Sequence, residues 1–192
     1  AALDLGMRVV GYDPALSVEA AWRVPAEVER MENLPALFAQ ADFVTLHVPL
    51  LPATEGMINE ESIRAFKPGS VLLNFARQEI VDGDAVLAAL DEGRLRKYIT
   101  DFPAPALIGR KDVILMPHIG ASTDEAEENC AVMAADQLRD FIENGNIRNS
   151  VNFPTLQLEH VTGCRLAVAN ENVPKILTSV LSILADENIN VI

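Results

Sequence analysis

Residues 66–82 read FKPGSVLLNFARQEIVD, and the middle of this stretch decides the fold. Pro68-Gly69 makes a turn, and Ser70–Ala76 (SVLLNFA) is then apolar at successive rather than alternate positions. A strand of that kind is buried on both faces, as happens in a parallel sheet. The stretch closes on Asp82, which caps a helix that Gly93 ends, because glycine tolerates the left-handed conformation just past a last turn.

The same alternation continues on either side. Upstream, Met7–Asp13 (MRVVGYD) reads as a buried strand ended by Pro14, and residues 34–40 (LPALFAQ) as a short helical turn. Asp42–Val48 is a second strand, and Asn59 caps a helix through Phe66. Downstream, Lys97–Asp101 and Asp112–Met116 are two more short strands. Residues 121–144 predict one long amphipathic helix, with Ser122 as cap, acids in its first turn and Gly145 as its stop. The rhythm predicts a doubly wound α/β fold, a parallel sheet covered by helices on both faces.

Composition narrows the class. The chain has 192 residues, 49% of them hydrophobic, and a formal net charge of -13. So acidic a chain repels a phosphate backbone, which argues against nucleic-acid binding. Its two cysteines, Cys130 and Cys164, cannot build a disulfide framework, which fits a reducing, cytoplasmic compartment. No apolar run approaches the roughly 18 residues of a membrane span, and no signal peptide is expected. Ala1–Leu5 reads as the last turn of a helix ended by Gly6, so the chain is expected to be an internal piece of a longer protein. After the long helix, Asn144–Pro154 (NGNIRNSVNFP) is polar and turn-rich, as a linker is. Arg165–Ala169 as strand, Pro174–Glu187 as helix and Ile189–Ile192 as strand then predict the start of a small βαβ module.

Four residues could carry chemistry. Asp13 ends a strand, where an acid in a dinucleotide-binding unit accepts hydrogen bonds from ribose hydroxyls. Asp13-Pro14 is equally a turn initiator. No GxG pair occurs in the chain, so the phosphate-binding loop is expected upstream of Ala1. An acid at the ribose would repel the 2′-phosphate of NADP and select NAD. Arg77 follows the strand Ser70–Ala76 at its carboxyl end, where a guanidinium can hold a carboxylate in a bidentate fork or simply cap the sheet. His118 precedes a helix and suits general acid/base work, though a lone histidine is as readily structural. Asp101 ends a strand, placed either to meet a nicotinamide amide or to cap a turn. His47 and His160 read as structural or surface residues, and no cluster has metal-ligand spacing.

In order, VVGYDP, LHVPLLPATEGMIN, FKPGSVLLNFARQEIVD, TDFP and MPHIGAST resemble the D-isomer-specific 2-hydroxyacid dehydrogenases. The long helix with NGNIRNSVNFP behind it resembles the phosphoglycerate dehydrogenase branch, whose last module is of the ACT type. The resemblance implies a Rossmann-like NAD-binding domain over 1–120 and a long helix and return segment over 121–150. It also implies a linker over 151–162 and a partial ACT-like regulatory module over 163–192. The activity implied is NAD-linked oxidation of 3-phosphoglycerate to 3-phosphohydroxypyruvate, the first step of L-serine biosynthesis, in a homo-oligomer. Oxidation of another D-2-hydroxy acid, or a non-catalytic amino-acid-sensing role, are the alternatives.

Carried over position by position, Asp13 matches the ribose-binding acid, and Pro49 and Thr54 fall in a loop bordering the cofactor. Phe75, Ala76 and Arg77 line the nicotinamide, with Arg77 also orienting the substrate. Asp101 matches a nicotinamide-side acid. His118 matches the catalytic histidine, and Gly120 and Ala121 its flanking cofactor contacts. Asn172 and Asn190 match positions that bind an L-serine effector. Three positions depart from the pattern: Phe75 replaces a small residue, Gln78-Glu79 follow the arginine where glycine is common, and Ala106 stands about where the histidine's glutamate partner belongs. The last predicts reduced activity or a pH optimum displaced downwards, unless another acid substitutes.

Overall fold

The computed structural model describes residues 1–158, 165–171 and 173–189. It divides into two compact units, Ala1–His118 and Ile119–Ile192.

The first unit is built on four parallel strands in the order β3-β4-β5-β6: Phe43–Leu46, Ser70–Asn74, Leu95–Thr100 and Val113–Leu115. A second sheet pairs β1, Val10–Gly11, in parallel with β2, Glu29–Arg30. The strand expected over Met7–Asp13 is therefore two residues long. Ladder pairing reaches no further because β2, itself unforeseen, offers only two partners. β3, β4 and β6 are also trimmed at their ends, where ladder hydrogen bonds stop and loop geometry begins, whereas β5 starts at Leu95, two residues before the expected Lys97, and ends at Thr100.

Helices α1 (Val18–Ala21), α2 (Leu34–Gln40), α3 (Glu60–Arg64) and α4 (Gly83–Asp91) join these strands. Their starts follow local chemistry. Asn33 Oδ1 accepts from Ala36 N, and Asp82 Oδ1 accepts from Asp84 N and Ala85 N. Asn59 and Ser62 close a reciprocal capping box over α3. Gly93 sits at φ +70°, in the conformation its position predicts.

Register shows how the core is laid. Val44, Leu72, Tyr98 and Val113 are cross-strand partners, as are Leu46, Asn74, Thr100 and Leu115. These rows face the side where Phe38, Ile63, Phe66, Val86 and Leu90 pack. The opposite face carries Phe43 and Ile114, 47% and 43% exposed, with Leu73 and Ile99 half-buried between them. On that same face Val71, the cross-strand partner of Phe43, is 2% exposed, so the face is buried in its middle and open at its edges.

In the second unit, α5 spans Asp124–Asn144. It starts three residues later than expected, capped by Thr123 rather than Ser122. Thr123 Oγ1 accepts from Ala126 N, whereas Ser122 is taken up in a turn through Ile119 O. Asp124, Glu125 and Glu127 fill the first turn and Gly145, at φ +70°, ends the helix. Asp140 gathers the return segment: its Oδ1 accepts from Asn144 and Asn146, and Oδ2 pairs with Arg148. The Asn144 amide, with these others, holds its carboxyl below the ordinary aspartate range.

Ile147 and Leu156 form an isolated antiparallel bridge. Helix α6 occupies Ile176–Asp186, inside the expected Pro174–Glu187. Residues 165–169 are not a strand, contrary to expectation. A strand exists only when a neighbour pairs with it, and this segment has no ladder partner among the described residues. The strand expected over Ile189–Ile192 lies outside the described residues beyond its first residue.

Candidate active site at the carboxyl edge of the sheet

Leu46, Asn74, Thr100 and Leu115 stand in one cross-strand row, the last residues of β3 to β6. The loops after these four residues therefore leave the sheet at the same edge, and open α/β sheets bind ligands outside that edge. His47 and the loop with Pro49 and Thr54 leave from β3. Phe75, Ala76 and Arg77 leave from β4, Asp101 from β5, and His118 three residues beyond β6.

Each loop is tied down. Thr54 Oγ1 donates to Pro49 O at 2.6 Å and accepts from Leu51 N at 2.8 Å, so this hydroxyl shapes the turn. That loop then joins the one carrying Arg77. Gly56 N donates to Glu79 O, Ile58 N to Ile80 O, and Asp82 N returns to Ile58 O. Gln78–Ile80 coils into a single 3-10 turn, which accommodates Gln78 and Glu79 with both side chains outside.

The Arg77 guanidinium is exposed and donates to its own neighbour's carbonyl, Ala76 O, at 2.7 Å. Among the described residues no carboxylate pairs with it, so its charge is available to an anionic ligand. Ala76 packs against the core while Phe75 is 38% exposed.

Asp101 and His118 meet. Asp101 Oδ2 lies 2.9 Å from His118 Nδ1, and the Phe102 ring sits 5.1 Å from the imidazole, centroid to centroid. The other oxygen, Asp101 Oδ1, is buried and has no hydrogen-bond partner among the described residues. A buried carboxylate oxygen left bare is costly, so this one suits a ligand donor such as a carboxamide NH2. On that observation the edge fits a nicotinamide.

Two buried polar residues behind this edge were missed in the sequence. Asn74, fully buried, donates from Nδ2 to Arg77 O at 2.9 Å and accepts on Oδ1 from Ala76 N at 3.1 Å. Thr100, also fully buried, accepts Phe102 N on Oγ1 at 3.2 Å. The signal was available: a polar side chain ending an apolar strand in a core-facing row must find partners. Between them Tyr98 is buried, and that burial pushes its phenol above the ordinary value, with Thr100 and Asn74 pulling it back.

The remaining expected positions make no contact with Arg77, Asp101 or His118 through a hydrogen bond or ion pair among the described residues. Asp13 follows the two-stranded sheet, is exposed, and accepts Ala15 N on Oδ1 at 2.9 Å, as a turn initiator does. Gly120 and Ala121 fall in the second unit, exposed ahead of α5. His47 is exposed, with Nε2 3.0 Å from Thr45 Oγ1. Asn172, Asn190 and His160 lie outside the described residues. Among the described residues no helix is long and apolar enough to cross a membrane.

Residues 1–120 match the NAD binding domain of the D-isomer specific 2-hydroxyacid dehydrogenases. The chain belongs to this family. NAD is the cofactor of that domain, in keeping with the bare oxygen of Asp101. A D-3-phosphoglycerate dehydrogenase of Haemophilus influenzae is 37% identical over 98% of this chain and 48% of its own length. The apo D-mandelate dehydrogenase of Rhodotorula graminis superposes with a TM-score of 0.65 at 31% identity, over 73% of this chain and 42% of that one. An NAD-complexed 2-hydroxyacid dehydrogenase of Lactobacillus delbrueckii gives 0.65 at 25%, over 78% and 50%. The chain thus spans about half the length, or less, of the curated relatives it matches.

Proposed function

We propose that the protein containing this chain oxidises 3-phosphoglycerate to 3-phosphohydroxypyruvate with NAD, the opening reaction of L-serine synthesis. One observation carries the chemistry: a single sheet edge presents the exposed guanidinium of Arg77, which has no carboxylate partner among the described residues, and a carboxylate–imidazole pair, Asp101 and His118. The choice of substrate is supported by relatives named for phosphoglycerate.

The residues divide the work. Arg77 holds the substrate carboxylate in a bidentate fork and draws charge from the carbonyl forming beside it. His118 accepts the hydroxyl proton as C2 becomes a ketone. NAD, when bound, supplies the acceptor for the hydride leaving C2. Asp101 Oδ1 and the segment from Phe75 to Arg77 hold its nicotinamide end, with Pro49, Thr54, Gly120 and Ala121 beside it and Asp13 at the ribose.

Further along, residues 163–192 begin an ACT-like module that takes L-serine through Asn172 and Asn190, within a cytoplasmic homo-oligomer. The position of α6 inside the expected module helix supports the module. A second reading, another D-2-hydroxy acid as substrate, is favoured by the structural likeness to a mandelate enzyme.

The test is NADH absorbance of the intact protein with 3-phosphoglycerate and a panel of D-2-hydroxy acids, beside Arg77→Ala. Turnover of 3-phosphoglycerate that falls about 100-fold or more in the variant is expected. Preference for an unphosphorylated acid selects the second reading. NAD binding without turnover of any acid overturns both and leaves the sensing role.

A further inference from the structure

We infer that Asp101 is the positioning residue of His118: its carboxylate fixes the ring with the proton on Nδ1 and leaves Nε2 as the proton-accepting atom. The inference rests on the function proposed above, because it names what holds the proposed base.

The geometry is specific. At 2.9 Å, Asp101 Oδ2 stands within N–H···O distance of His118 Nδ1. An ionised carboxylate can only accept, so Nδ1 must carry the hydrogen. In a neutral imidazole the lone pair is then on Nε2. Without such a partner the ring can exchange tautomers, and part of the population presents a nitrogen that cannot take a proton.

The two side chains differ in how they are held. Asp101 is 13% exposed and follows Thr100, the buried end of β5, whose hydroxyl also fixes a nearby backbone N–H, that of Phe102. His118 is 59% exposed and lies beyond the end of β6. The sheet therefore anchors the acid, and the acid anchors the ring. Phe102, stacked obliquely at 39°, restricts the ring from another side. Among the described residues no other acid pairs with His118. Ala106, exposed in the turn Pro105–Leu107, offers no carboxylate.

The test reads the tautomer directly. Intact protein labelled with 15N-histidine is measured by NMR at about pH 8.5, where an ordinary imidazole is neutral, and His118→Gln assigns the signal. His118 is expected in the Nδ1–H form. Asp101→Ala moves it to the Nε2–H form or a mixture, and lowers kcat about 100-fold or more. Asp101→Asn, whose side-chain oxygen still accepts from Nδ1, keeps the tautomer and recovers part of kcat. An Nε2–H ring in the wild type overturns the inference, and that spectrum needs no variant to fold. So does an unchanged tautomer with unchanged kcat in Asp101→Ala. An Nδ1–H ring in a protein that oxidises no 2-hydroxy acid overturns the proposed function while Asp101 still positions the imidazole.

Discussion

Asn74 holds Arg77 by the backbone and not by the side chain: its Nδ2 donates to Arg77 O at 2.9 Å while its Oδ1 accepts from Ala76 N. One fully buried amide thereby sets the direction in which the guanidinium leaves the sheet. Asn74→Ala should cost about 1–3 kcal/mol of stability through two unpaired backbone groups. It should also lower kcat/KM at least about 10-fold, since a misplaced binding group loses the orientation it supplied. Asn74→Asp keeps the acceptor but sets an oxygen against Arg77 O, so it should not rescue. Thermal melts beside steady-state kinetics check this, and a variant as active as wild type would show that the amide does not aim Arg77.

Asp13 has two candidate roles that one substitution separates. Asp13→Asn retains an oxygen for Ala15 N, so the turn should survive and the melting temperature stay within about a degree or two, as for an ordinary surface change. Losing the charge should relax discrimination against NADP about 10-fold. Cofactor preference is the readout: an unchanged NAD to NADP ratio would leave Asp13 a turn residue only.

Acid should loosen the start of β6. Arg110 donates from Nε to Asp112 Oδ1 at 2.9 Å, and its NH2 group reaches Asp112 Oδ2 at 2.7 Å and Asp91 Oδ1 at 2.6 Å. The Arg110 hydrogen bonds hold the Asp112 carboxyl below the ordinary aspartate range. A carboxyl depressed in the folded state stabilises fully above its unfolded value of about 4, and the gain is lost as pH falls through the folded value. Melting temperatures of wild type and Asp112→Asn should therefore differ most at neutral pH and converge towards pH 3. A gap constant across that range would count against the pair.

The unequal burial of Leu72 and Leu73 predicts unequal costs for adjacent leucines. Leu72 is fully buried, and Leu72→Ala should destabilise by about 2–5 kcal/mol. Leu73, half-buried on the opposite face, should cost less than about 2 kcal/mol on the same change. Equal losses in urea titrations of the intact protein would show that both faces are packed there.

Much was legible without coordinates because it is local. The caps at Asn59 and Asp82 and the stops at Gly93 and Gly145 each follow from one residue's hydrogen bonding or φ preference. The apolar run through Ser70–Asn74 announces a buried parallel strand, and a carboxyl-edge position for Arg77, Asp101 and His118 follows from where their strands end. Failures were of the other kind. The shift of the α5 cap from Ser122 to Thr123 was a choice between neighbouring hydroxyls. The two-residue β1 and the segment 165–169, which has no ladder partner among the described residues, each depended on what another part of the chain supplies.

Residue order alone therefore determined an α/β unit with parallel strands, and the set of polar residues gathered at one of its edges. Tertiary structure decided which of them touch. It joined Asp101 to His118 though 16 residues of chain separate them, left Arg77 without a carboxylate partner among the described residues, and put the amide of Asn74 behind the loop that carries the guanidinium. Strand pairing and register are long-range hydrogen-bond agreements, and a side chain's partner is whatever they bring within about 3 Å.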